Sequence, residues 1–171
     1  QTPNDLVQND LAGQLVQVTN VTYSGTLAAI GAFDGTNCNV GLASGVVMSS
    51  GSVLNTSAAS PHGPNNNSGA GFDNGLPGDA MLAAITGQLS YNAAVLEFDF
   101  VPLGDTLELS FVFGSDEYME FAGFGLSDAF AIWITGPGFS PNTNIALIPG
   151  TTTAVAIDSL NAFINQAFYI D

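Results

Sequence analysis

Residues 94–113 read Ala94-Val95-Leu96-Glu97-Phe98-Asp99-Phe100-Val101-Pro102-Leu103-Gly104-Asp105-Thr106-Leu107-Glu108-Leu109-Ser110-Phe111-Val112-Phe113, and their alternation decides the fold class. Leu96, Phe98 and Phe100 fall on one face of an extended chain, with Glu97 and Asp99 on the other. Leu107, Leu109, Phe111 and Phe113 alternate in the same way against Glu108 and Ser110. Side chains of a strand point to opposite faces with period two, so the stretch predicts two half-buried strands. The link Val101 to Asp105 is short enough to join them as a hairpin.

Outward from this centre, Ala129 to Thr135 is apolar on both faces. It is expected as a central strand that holds Trp133 in the core, stopped by Gly136-Pro137-Gly138. Asn144 to Ile148, Ala154 to Ile157 and Phe168 to Ile170 read as further short strands. Upstream, Leu15, Val16, Val18 and Val21 begin a strand region, and Thr26 to Phe33 is a second short apolar segment. Gly45-Val46-Val47-Met48-Ser49-Ser50-Gly51 reads as a buried strand bounded by glycines. Two short helices are expected. One spans Asn4 to Gly13, with an Asn or Asp cap and a Gly stop; the other follows Asp79 and ends near Gly87. Residues 55–78 are polar and rich in Gly, Pro and Asn, a loop of the length that usually carries function or disorder. The sum is a mainly all-β chain with two short helices, a jelly-roll-like β-sandwich forming a single domain over residues 1–171.

Composition bounds the chemistry. Of 171 residues, 46% are hydrophobic, enough for one core, but only 9% are charged, far below the usual quarter or so. The charge has one sign: Lys+Arg 0, Asp+Glu 15, His 1, a net −15. With basic residues at about 12% of ordinary positions, drawing none is roughly a one-in-a-billion event. Nucleic-acid binding, phosphate clamping and attachment to anionic membranes all depend on Lys or Arg, so these classes fall away. The carboxylates must be solvated, hydrogen-bonded, or held by a divalent cation. No apolar run reaches the ~18–20 residues of a membrane-spanning helix. The start Gln1-Thr2-Pro3-Asn4 is what cleavage of a leader would leave. The single Cys38 excludes an internal disulfide and reads as a small buried or half-buried thiol, with an intermolecular disulfide or a nucleophile as the alternatives. The single His62 reads as a loop residue that lacks the local signature of a hydrolase base. The sequons at Asn20, Asn55 and Asn66 are expected by chance in so Asn/Ser/Thr-rich a chain.

The acidic cluster Asp116, Glu117 and Glu120, with Asp128 beyond it, sits where a strand is expected to end in a Gly-rich loop. Hard oxygen ligands on a loop suit Ca²⁺, which takes six to eight oxygens. The spacing is not that of an EF-hand, and a solvated loop whose carboxylates cap backbone N–H groups is the alternative. Glu117 and Glu120 could flank a sugar bond as a glycosidase pair, but nothing in the spacing demands it.

Several runs together are similar to the choice-of-anchor L domain family. These are Ala94 to Pro102, Phe111-Val112-Phe113-Gly114-Ser115-Asp116-Glu117-Tyr118, Gly45 to Gly51, Gly63-Pro64-Asn65, Ser127 to Phe130, Ile134 to Gly138 and Asn144 to Gly150. The resemblance implies a secreted or surface-anchored bacterial module, common in Bacteroidetes-like organisms, and brings no established enzymatic activity with it, so the chain is expected not to be an enzyme. It also implies further strands after the segment Phe168 to Asp171. Asp105-Thr106-Leu107 and Asp158-Ser159-Leu160 fit an O-glycosylation pattern associated with that phylum, with Thr106 and Ser159 as the sugar-bearing residues. The expected function is a non-enzymatic extracellular structural or adhesive module, a subunit of a filament or sheath that self-associates through sheet edges and is steadied by Ca²⁺. The alternative is a Ca²⁺-dependent, lectin-like domain that binds surface glycans through the acidic loop and the 55–78 loop.

Overall fold

The computed structural model describes residues 1–37, 39–53 and 73–170. Cys38, His62, two of the three sequons and most of the 55–78 loop lie outside the described residues. In chain order the elements are α1 (Pro3–Leu6), β1 (Val16–Ser24), β2 (Ile30–Asp34), β3 (Ser44–Met48), α2 (Ala80–Thr86), β4 (Val95–Pro102), β5 (Ala129–Phe130), β6 (Trp133–Gly136), β7 (Phe139–Asn144) and β8 (Val155–Ala156). This is the expected mainly-β class with two short helices. Among the described residues the strands pair as β1–β4, β2–β3, β5–β8 and β6–β7, so the sheets are small and unclosed. The chain gathers into two compact units, the first made of described residues 1–37, 39–53, 73–76 and 92–112, the second of 77–91 and 113–170.

In the first unit, α1 starts one residue before the expected Asn or Asp cap. Thr2 Oγ1 accepts from the Asp5 backbone N–H at 3.2 Å while Asp5 Oδ2 accepts from the Thr2 N–H at 2.9 Å. This reciprocal capping satisfies two orphan donors, and Pro3 at the first helical position loses nothing. The helix runs on as a π-turn, Val7–Leu11, and buries Leu6 and Val7 against the same core as Val18, Ala29 and Ile30. β1 and β4 are antiparallel from Val16↔Pro102 to Ser24↔Val95. Between Thr19 and Thr22 the register shifts, because β1 carries one residue more than β4 there. Asn20 absorbs this bulge with a left-handed φ of 54° and donates through Nδ2 to Asp99 Oδ2 at 2.6 Å. Before the bulge Val16 and Val18 turn inward; after it Val21 and Tyr23 do. In β4 the alternation is as expected, with Glu97 and Asp99 exposed. β3 is half-covered rather than buried, since β2 is its one strand neighbour among the described residues.

The expected hairpin partner of β4 does not form. β4 takes β1 instead, and residues 103–113 belong to no strand. Leu107, Leu109 and Phe111 are left 47%, 45% and 37% exposed. The alternation that suits a strand is present, but no ladder partner engages it among the described residues.

In the second unit, Asp79 caps α2 as expected, accepting from the N–H groups of Met81 (2.8 Å) and Leu82 (3.0 Å), and Gly87 ends it in the left-handed conformation at φ 73°. The apolar run 129–135 is not one central strand. It divides into β5 and β6 at Ile132, whose N–H donates to Asn144 Oδ1 and whose carbonyl accepts from the Ile145 N–H. Trp133 is therefore not in the core: β6 is half of a two-stranded pair, and the indole is 36% exposed. The core is formed by Ala146, Ile148, Val155, Ala156 and Ile157. Buried Asn161 is satisfied by the Ile157 carbonyl and the N–H groups of Phe163 and Ile164. The expected strand at 168–170 is preceded and partly replaced by a 3₁₀ turn, Gln166–Phe168, set by Asn165 at φ 54°.

Candidate acidic site

The loop 114–128 joins the exposed segment to β5 within the second unit. Ser115 organises its start: its hydroxyl donates to Asp128 Oδ2 at 2.7 Å and accepts from the Glu117 N–H at 3.1 Å. One hydroxyl thus ties the two ends of the loop together. The Glu117 carbonyl accepts from the Phe121 N–H at 3.1 Å, closing a turn. Tyr118 is the anchor. Its hydroxyl donates to the Leu160 carbonyl at 2.5 Å, and its ring meets Phe113 at 6.4 Å and Tyr169 at 5.2 Å, both edge-on. Burial pushes the Tyr118 phenol up to about 12, with Tyr169 and the Asp128 charge adding to the effect. Asp158 closes the far side, its Oδ1 accepting from the Gly123 N–H at 2.8 Å and its own N–H donating to Ser127 Oγ at 3.2 Å.

Of the four carboxylates expected to act together, the structure relates Glu117 to Asp128, while Glu120 is exposed. Asp158 joins them electrostatically. Burial raises the Glu117 carboxyl above its usual range, and the negative charges of Asp128 and Asp158 raise it further. Glu117 Oε2 is itself buried and accepts no hydrogen bond among the described residues. No group of three or more His, Cys, Asp or Glu side chains among the described residues is gathered closely enough to hold a metal ion. Thr106 is exposed; the Ser159 hydroxyl is engaged with the Ala156 N–H and with the carbonyls of Ala154 and Ala156.

Sequence reading passed over Ser115 as the loop's organiser and Asp158 as a member of the site. Asp158 lies 30 positions beyond Asp128 and stood out only within a modification pattern. A hydroxyl at the start of an acidic loop was the available signal for Ser115.

The chain belongs to the choice-of-anchor L domain family, whose model matches residues 1–169. No curated protein and no solved structure matches it. Membership suggests an extracellular, surface-associated and non-enzymatic module. No helix among the described residues is long and apolar enough to cross a membrane.

Proposed function

We propose that the protein is an extracellular structural module whose copies associate through open sheet edges, as the subunit of a surface filament or sheath. The pairing pattern carries this reading. Each sheet among the described residues has two strands, so a strand with an exposed outer edge, as β7 is over its first four residues, can offer backbone N–H and C=O groups to a further strand. Buried β8, by contrast, has its Ala156 N–H and carbonyl engaged by Ser159 and Leu160. Leu107, Leu109, Phe111 and Val112 lie exposed on a segment with strand alternation, which suits addition to a neighbour's edge. A charged fraction of 9% favours neutral, hydrogen-bonded packing between copies, whereas a net −15 opposes it unless ions screen the repulsion. Ca²⁺ enters as that counter-charge, with Asp116, Glu117, Glu120 and Asp128 as the loop carboxylates on which it would act.

Sedimentation velocity tests the reading. Large species in millimolar Ca²⁺ or high salt, shrinking with chelator at low salt and in Leu109→Lys, are expected. A 17.5 kDa monomer under every condition overturns it. A second reading, glycan binding beside the acidic loop, is favoured by Phe124, which is 78% exposed between Gly123 and Gly125. It predicts glycan-array binding that is lost in Phe124→Ala.

A further inference from the structure

A cleft of about 190 Å³ opens within the second unit, between the end of α2 and the segment around β8. Its apolar wall is Ile85 with Ala154 and Ala156, and its polar side is Asp158 with Thr86 and Ser159. The hydrogen bonds already made there determine what the cleft can still offer. Ser159 Oγ donates its proton to the carbonyls of Ala154 (2.7 Å) and Ala156 (3.0 Å). Thr86 Oγ1 directs its proton at the carbonyls of Ala83 and Gln88, each at 3.4 Å, and accepts from the Gln88 N–H at 3.2 Å. The nearby N–H groups of Ala156 and Asp158 are spent on Ser159 Oγ and Ser127 Oγ. Asp158 accepts from the Gly123 N–H through Oδ1 alone, so its second oxygen adds acceptor capacity and charge. Ser127 and Thr153 contribute two further hydroxyls to the lining.

A cleft with one carboxylate, hydroxyls that keep some acceptor capacity and an apolar wall suits a donor-rich cationic head on an aliphatic stem. An ammonium has three donors and no acceptor. A carboxylate or phosphate ligand would be repelled by Asp158, a neutral sugar would leave that charge unbalanced, and Ca²⁺ needs six to eight oxygens where one carboxylate is present. We propose that this cleft binds a primary alkylammonium group, of the kind carried by a lysine side chain of another protein. No lysine of this chain can fill it, since the chain has none. The surroundings support a cation: Asp158 and Asp128 already make Glu117 harder to ionise, and a bound positive charge offsets that field.

The test is calorimetric titration of the whole chain with Nα-acetyl-lysine methylamide and with n-butylammonium, which separate a protein-borne amine from a free one. Nα-acetyl-norleucine methylamide, methyl glucoside and Ca²⁺ are titrated alongside. Either amine is expected to bind and the norleucine analogue to fail, with the amide resonances of Gly123, Ser127 and Ser159 shifting on saturation. Asp158→Asn keeps an acceptor for the Gly123 N–H and removes the charge, so it is expected to fold, as its spectrum would verify, and to bind about tenfold or more weakly. Thr153→Val, which removes a hydroxyl of the lining at nearly constant volume and leaves the end of α2 intact, gives a second and smaller loss. Equal binding of the norleucine analogue, unchanged affinity in Asp158→Asn, shifts confined to other residues, or binding of methyl glucoside or Ca²⁺ with both amines silent each overturn the proposal. The readout at monomer concentrations is independent of self-association.

Discussion

Glu117 is held between two demands: its backbone fixes the loop, while its carboxyl is part-buried beside two other acids. Because its folded pKa lies above the ordinary 4.5, the protonated form is favoured in the folded state. The associated stability is present below 4.5 and is lost as pH rises through the folded pKa. Glu117→Gln is therefore expected to raise the melting temperature at pH 7 and leave it nearly unchanged at pH 4; equal shifts at both values would sink this account. The same sign governs Tyr118. Its phenol, pushed to about 12, costs the folded protein stability as pH climbs from 10 towards 12, while the unfolded chain ionises freely. An ultraviolet titration should show Tyr118 as the last tyrosine to ionise, and Tyr118→Phe should abolish that last step. At this scale the acidic residues were legible in the sequence, since hard oxygens in a Gly-rich loop advertise themselves. Their grouping was not, because Asp158 comes from a distant segment and nothing local marks it.

Among elements, α2 was read almost completely, because a helix cap is local chemistry: Asp79 at one end and Gly87 at the other are both visible in the chain. Asp79→Ala is expected to cost about 1 kcal/mol in denaturant unfolding, and Asp79→Asn much less. Gly78→Ala should cost more than either. An added Cβ would run into the Ser90 backbone carbonyl, where the flanking pair Pro77↔Tyr91 brings the two segments together. Denaturation midpoints that rank Asp79→Ala as the more damaging would contradict this. Pairing was less legible than capping. The alternation at 106–113 is as regular as that of β4, yet alternation states that a segment suits a pleated surface and does not name its neighbour. Trp133 failed for a related reason: an apolar run says that burial is favourable, whereas the division at Ile132 depends on Asn144, twelve residues on.

For the whole molecule, the period-two pattern repeated in segment after segment made the mainly-β class legible, while the partition into two-stranded sheets was not. Charge is the property on which the whole chain acts as a unit. With 15 acidic and no basic residues, raising NaCl from low to physiological strength should increase the sedimentation coefficient if copies associate, because repulsion between exposed charges fades beyond about 8 Å at 0.15 M. A coefficient that falls with salt would count against association. The bulge at Asn20 bears on how such a chain can change over generations. It acts as a phase-shifter: the inward positions of β1 are even-numbered before it and odd-numbered after it. Point substitutions along β1 are read one at a time, whereas loss of Asn20 would close the bulge and leave Val21 and Tyr23 still facing inward, so the extra residue is a spacer that the strand could shed without turning its inward side chains over.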